Sequence, residues 1–189
     1  MESIEEQTFE HKDFSKSALK IASYETCIFS NCNFANSSLS KIKFIDCEFI
    51  ECNLSNVPLY DTSFQSVQFK DCKMLGLQFD NCDTFGLSFT CDKCTLDHSS
   101  FYQHKLKKTI FKNSQLQEVD FTECDLSNAV FDNCDLTRTI FDKTNLKNAD
   151  FVSSFNYSID PENNSIKKAK FSLLQLSGLL NKYDIEIHE

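Results

Sequence analysis

The sequence predicts a solenoid, a rod of stacked short repeats, on three observations. A large apolar residue recurs at every fifth position through most of the chain. A small residue stands two places before it, and the positions between are mostly polar. Residues 124–136 show all three, with Leu126, Phe131 and Leu136 as centres and Cys124, Ala129 and Cys134 as the small residues. A period of five belongs to neither an α-helix (3.6) nor a flat strand (2.0). The repeat is therefore the unit to be explained.

Composition sets the outer limits. With 189 residues the chain is one domain by length and has room for a core. It holds 19 Phe and no Trp, with 3 Gly and 2 Pro. It lacks an apolar run of membrane-spanning length, and Met1–Glu6 has neither the basic nor the apolar region of a secretory signal, so the expectation is a soluble cytoplasmic protein with no membrane partner. The net charge of −9 argues against direct binding of nucleic acid or anionic membrane, which needs phosphate-neutralising Lys and Arg. Of ten Cys, nine (Cys27, Cys32, Cys47, Cys52, Cys72, Cys82, Cys94, Cys124 and Cys134) hold the small slot. Free Cys acts there as a small buried hydrophobe, which suits a reducing compartment.

The frame runs from Phe9 through Phe14, Leu19 and Tyr24 to Phe79, meets a polar centre at Thr84, and reaches Phe89. A two-residue shift is expected within Thr90–Cys94. The frame resumes at Leu96, continues to Phe151, lapses at Asn156 and Pro161, and returns in phase at Ile166 and Phe171.

Tandem units such as Ala129-Val-Phe-Asp-Asn and Ala149-Asp-Phe-Val-Ser resemble those of the pentapeptide-repeat proteins over roughly residues 7 to 172. The resemblance implies an all-β solenoid, a right-handed quadrilateral β-helix with one five-residue unit per face and four per coil. Centres and small residues point inward and the other three point out. About eight coils at about 4.8 Å each make a rod about 40 Å long. Every fourth centre then stacks in one column. The first column reads Phe9, Phe29, Phe49, Phe69, Phe89, Phe111, Phe131, Phe151 and Phe171, all Phe. Ring stacking between coils favours this, because aromatic centroids prefer separations of about 4.5–7 Å.

A coil cannot cover its own ends, so caps are expected. Met1–Gln7 is a weak candidate at one end. At the other, Ser172 is placed to N-cap a short helix through Leu180. The domains are accordingly a repeat region over 1–171 and a C-terminal helix and tail over 172–189. Leu173, Leu176, Leu179, Leu180, Tyr183, Ile185 and Ile187 supply more apolar surface than one coil end needs. Asn156–Pro161 and Lys167–Phe171, leading into that segment, resemble Qnr-type members of the family, in which a comparable helix pairs two subunits. That resemblance implies a homodimer joined through the tail.

Cys91-Asp-Lys-Cys94 with His98 and His104 invites a zinc or redox reading. In the repeat frame Cys94 and His104 point inward on adjacent faces and His98 points outward, so a structural bulge is the better reading. The column Cys32, Cys52, Cys72, Cys94 is read as reduced thiols, since parallel inward Cβ atoms about 4.8 Å apart exceed disulfide spacing. No nucleophile, base and orienting group come together and no Gly-rich phosphate loop is present, so the expectation is a non-enzyme without cofactor or metal.

Projected on the four faces, the outward charges segregate. The fourth face is basic (Lys43, Lys105, Lys107, Lys108, Lys147, Lys167, Lys168) despite Glu25, Asp46, Asp83 and Asp125. The third is acidic (Asp61, Asp80, Asp120, Glu123, Asp142, Asp160, Glu162) despite Lys20, Lys41 and Lys143, as is the first (Glu10, Glu48, Glu51, Asp71, Asp92, Asp132, Asp150). Solvated faces of a rod account for this, and so does a rod that imitates DNA. The resemblance to Qnr-type proteins implies bacterial DNA gyrase and topoisomerase IV as partners and an effect on quinolone sensitivity, with the first and third faces as contact surface. This chain lacks the long loops of the strongly protective members. The alternative is a structural or protein-interaction scaffold with another partner, using exposed apolar residues such as Ile28, Ile50, Ile110, Val130 and Val152 or Tyr60 and Tyr102.

Overall fold

The structure is a computed structural model that describes residues 1–188. Eleven short strands form in chain order: β1 (Ser3–Glu5), β2 (Thr8–Glu10), β3 (Ser23–Glu25), β4 (Ile28–Ser30), β5 (Lys43–Ile45), β6 (Glu48–Ile50), β7 (Ser63–Gln65), β8 (Val67–Lys70), β9 (Phe89–Asp92), β10 (Ile110–Lys112) and β11 (Val130–Asp132). They build two parallel sheets, one ordered β1-β3-β5-β7 and one β2-β4-β6-β8-β9-β10-β11. Ser3 pairs with Ser23, Ser23 with Lys43 and Lys43 with Ser63, a register of one coil per 20 residues. The fold is a parallel four-sided β-solenoid.

Seven strands in the longer sheet make about six turns in regular strand geometry, fewer than the eight coils expected. The same register continues as isolated bridges, Val130 to Asp150 and Asp150 to Lys170. The difference lies in how much of each rung is hydrogen-bonded as strand.

The five-residue period works through the backbone. Two places after nearly every centre stands a residue in the left-handed region, such as Asn31 (φ 53°), Asn36 (φ 58°), Asn128 (φ 60°) and Asn148 (φ 56°). This turns the chain onto the next face. Asn tolerates that conformation better than other non-Gly residues, which explains the Asn-rich corners.

Inside, the columns stack as expected over most of their length. Phe9–Phe29 and Phe29–Phe49 ring centroids are 4.8 Å apart, Phe111–Phe131 5.2 Å and Phe131–Phe151 4.7 Å, all near-parallel. Adjacent columns meet edge to face, as at Phe44–Phe49 (5.2 Å, 74°). Both geometries suit the ring quadrupole.

The all-Phe column needs one correction. Cys91 pairs with Phe69 below and Phe111 above, while Phe89 pairs with Val67 in the small-residue slot. Phe89 meets Phe69 and Phe111 edge-on at 6.2 and 6.1 Å, and stacks on Phe79 (5.5 Å) and Phe101 (5.9 Å). The two extra residues therefore precede Phe89; they are not within Thr90–Cys94. Thr84, Phe85 and Gly86 swing outward, with Phe85 78% exposed and Gly86 at φ +68°. The polar centre at Thr84 gives up its inward place and Phe89 fills the space, which leaves room at the neighbouring centre only for Cys91.

The N-terminal end differs from expectation, whereas the C-terminal end follows it. Ser3–Glu5 is the first rung, paired with β3, so it is not a cap. In the lapse, Asn156 turns outward at φ 62° while Tyr157 and Ile159 take the buried places. Phe171 returns in phase, stacked 5.4 Å from Phe151. Beyond it a 3-10 helix spans Leu173–Leu179, and the Ser172 side chain accepts from the Gln175 N–H. Gly178 seats this helix. Its carbonyl accepts from the Ile159 N–H at 2.9 Å, and a Cβ there would overlap the Tyr157 carbonyl oxygen and lie 2.8 Å from Tyr157 Cδ2.

Candidate protein-interaction surface

Each rung offers solvent three residues: one before the centre and two after. The residue before the centre is often Asp, and the structure gives this a local cause. Carboxylates of Asp120, Asp125, Asp135 and Asp150 accept from the N–H two residues on, at 2.8, 3.1, 3.1 and 3.1 Å. Such Asx turns stabilise the corner. Partial burial pushes the Asp125 pKa up, but bonds from Ser127 and Lys107 outweigh it and hold the carboxyl below its usual value. Burial likewise raises Asp150, but Lys170 and the Val152 N–H lower it further. The sequence signal for this role is Asp before the centre followed by Ser or Thr after it.

None of the ten acidic residues expected at a partner surface is buried, but they divide by what they touch. On the first face, Glu48 pairs with Lys70 at 2.9 Å, Asp71 with Lys93 at 3.9 Å and Asp150 with Lys170 at 2.9 Å, while Asp132 accepts from Ser153 Oγ at 2.9 Å. Of the five expected there, only Glu51 is left without a side-chain partner among the described residues. The third face keeps its charge from Asp61 to Asp142, while Asp160 and Glu162 at its end pair with Lys182. Asp61 and Asp80 are exposed without side-chain partners among the described residues. Glu123 accepts from the neutral Gln103 amide at 2.8 Å, Asp142 from the Asn163 amide, and Asp120 from a backbone N–H. Bridges join Gln78, Ser100, Asp120 and Ile140 on successive rungs about 4.8 Å apart, and the carboxylates stand on four of the five rungs from Asp61 to Asp142, the rung of Ser100, Tyr102 and Gln103 carrying none. Tyr60 and Tyr102, 61% and 40% exposed, stand among them.

The thiols and imidazoles belong to the core. All ten Cys are free and buried. Most of their Sγ atoms donate to the carbonyl of a centre one coil below, as Cys52 does to Phe29 and Cys134 to Phe111 at 3.3 Å. Thr62, Thr144 and Ser154 fill the same slot with the same bond, to Leu39, Phe121 and Phe131. The slot thus selects a small donor, which the pattern of small residues did not reveal. Burial pushes the Cys47 thiol up to about 11 and that of Cys124 to about 12. His104 is buried with Nε2 2.5 Å from the Phe79 carbonyl oxygen, whereas His98 is outside, 2.9 Å from Glu118. These two rings face different surroundings and do not converge with Cys91 and Cys94. Among the described residues no three His, Cys, Asp or Glu side chains are grouped to hold a metal, and no helix is long and apolar enough to cross a membrane.

The C-terminal segment is docked on one side and open on the other. Leu179 packs against the core and Leu180 is half-buried, while Leu173 and Leu174 are 85% and 90% exposed. Leu176, Tyr183, Ile185 and Ile187 are also exposed. Lys182 ties the tail to the last coil, 2.8 Å from Asp160 and 2.6 Å from Glu162, and Tyr183 Oη donates to Glu162 at 2.9 Å. Glu189 lies outside the described residues.

Comparison with known proteins agrees with this architecture. The family described as Pentapeptide repeat region matches residues 22–91 and 90–179. No curated protein matches in sequence. Among solved structures, a trypsin-treated variant of QnrB1, a plasmid-mediated fluoroquinolone resistance protein, is similar with a TM-score of 0.64 at 16% identity, covering 98% of this chain and 100% of that one. HetL, a pentapeptide repeat protein involved in heterocyst differentiation regulation from the cyanobacterium Nostoc sp. strain PCC 7120, aligns with a TM-score of 0.54 at 11% identity over 91% of this chain and 87% of its own. At such identities the likeness is one of fold. The chain belongs to the pentapeptide-repeat family.

Proposed function

We propose that the protein is a non-enzymatic binding module of the bacterial cytoplasm, whose third face imitates duplex DNA toward DNA gyrase or topoisomerase IV and so modulates quinolone sensitivity. The observation that carries this is the third face itself, where Asp61, Asp80, Asp120, Glu123 and Asp142 keep their charge along one side of the solenoid, on four of its five rungs from Asp61 to Asp142. Negative charge fixed in this way attracts a groove lined with Lys and Arg. The fold shared with QnrB1 supports the choice of partner. The first face contributes less than its composition suggests, because Glu48, Asp71 and Asp150 are neutralised locally. Pairing of two copies through Leu173, Leu174, Leu176, Ile185 and Ile187 would lengthen the charged rod, and light scattering at micromolar concentration tests it: a dimer is expected, and a monomer rejects this part.

Binding to purified gyrase, followed by interferometry, tests the face. The expected result is binding that duplex DNA competes away and that Asp61→Asn with Asp80→Asn weakens about tenfold, or about 1.4 kcal/mol. Equal binding by wild type and double variant contradicts the assignment.

Tyr60 and Tyr102 on the same face, with Ile28, Ile110 and Val152 exposed on the first face, favour a second reading, a scaffold for a different protein. Capture from a bacterial lysate separates the two by whether topoisomerase subunits are retained.

A further inference from the structure

The fourth face is broken where the two extra residues enter. Its sheet ends at β7, and pairing resumes only at Lys105, which bridges to Asp125, then Asn145 and Ser165. Between these halves the outward loop at Thr84–Gly86 opens a groove of about 460 Å³. Leu87 lines it with Ser66, Ser88, Thr90 and Thr109, Lys107 and Lys108 stand at its edge, and the Phe89 ring beneath is turned into the core. Phe85 is 78% exposed on the same loop. Below the groove, past a rung that carries Asp125, Ser127 and Asn128, the face resumes its lysines with Lys147, then Lys167 and Lys168. Only Lys107 has an ion-pair partner on this face among the described residues, Asp125 at 3.2 Å.

We infer that this groove and stripe form a docking surface for an extended acidic protein segment with an apolar anchor residue. The segment's carboxylates would meet the lysines and its anchor would meet Leu87 and the exposed Phe85 of the same loop. Charge complementarity selects the occupant, because the stripe is a basic concentration on a chain of net charge −9. From Leu87 in the groove to Lys168 is four rung steps, about 19 Å, which an extended segment of about six residues spans. Single-stranded nucleic acid fits less well. It needs successive aromatic platforms, and the outward residues below the groove (Asp125, Ser127, Asn128, Asn145) include none. A longer polyanion would also overrun onto the acidic neighbouring faces.

The test is fluorescence polarisation with a labelled peptide of about ten residues, Glu and Asp around one central Leu, and with a thymidine oligonucleotide of equal length. The expected result is saturable peptide binding below about 100 μM that Lys107→Glu with Lys108→Glu weakens at least about tenfold. Phe85→Ser, a change at an exposed site, should weaken it less. Lys16→Glu with Lys20→Glu alters net charge equally on other faces and should leave binding intact. Equal loss in the two charge variants, preference for the oligonucleotide, or no peptide binding overturns the inference. Circular dichroism of each variant confirms that the solenoid persists.

Discussion

At the residue scale, two slots decide most of the structure: the corner and the small inward position. The corner holds the chain in the left-handed region, and Thr26 does so at φ 55° with a β-branched side chain. That conformation costs an L-residue about 1–2 kcal/mol, less for Asn. Thr26→Asn should therefore stabilise the protein by about 1 kcal/mol, read as a higher denaturation midpoint; an unchanged or lower midpoint contradicts the account of the corners. The small slot fixes the thiols. With burial raising Cys47 to about 11, Cys124 to about 12 and Cys134 to about 11, these groups stay protonated and covered well above neutrality. Thiol reagent at pH 8 should find none reactive in the native protein and ten after unfolding. Rapid native labelling would place thiols outside the core. The small slot is legible in the sequence, but its donor role is not, because the carbonyl it serves lies 23 residues away.

At the element scale, the C-terminal 3-10 helix depends on Gly178, whose α-hydrogen faces the Tyr157 backbone. Gly178→Ala should undock the segment at a cost of about 1–3 kcal/mol and speed amide exchange over 173–183, with the β-strands unaffected. The same segment carries a pH dependence. Lys182 is raised by bonds to Asp160 and Glu162, and both carboxylates are lowered by Lys182. Lowered carboxylates contribute above their unfolded pKa of about 4 and lose that contribution as pH falls through the folded value; a raised lysine contributes below its unfolded pKa of about 10.4 and loses it as pH rises further. Tail protection from proteolysis should be greatest between about pH 5 and 10 and fall at both extremes. A flat profile from pH 3 to 9 would show that the pairs do not hold the tail. The Ser172 cap and the helix after it are readable from local chemistry. The bulge is harder to place, because an unbroken Phe column puts it after Phe89 at no cost to the repeat frame. In the structure the bulge starts at Thr84, and what moves it is the misfit of Thr84 as an inward centre, with Phe89 the nearest ring able to fill the space.

At the scale of the whole molecule, each rung touches mainly its neighbours, so stability accumulates along the rod. Phe131, stacked 5.2 Å from Phe111 and 4.7 Å from Phe151, should cost about 3–5 kcal/mol when changed to Ala. The broken ladder at the fourth face should make 84–88 the earliest-exchanging internal segment. The fold can be read in the sequence because its period is written in every unit. The interaction surface is readable only in outline: face assignment follows from the frame, but which carboxylates remain free depends on lysines one coil away and on corner turns. Glu48, Asp71 and Asp150 drop out for the first reason, and Asp120 is also engaged for the second.

The central claim, that the free third face stands in for DNA, is tested most directly by a gyrase supercoiling assay with and without quinolone. The account predicts that the wild-type protein, at micromolar concentration, inhibits supercoiling or relieves drug inhibition, and that Asp61→Asn with Asp80→Asn loses most of that effect while remaining folded. No effect of the wild-type protein at tens of micromolar, in either arm, would contradict it.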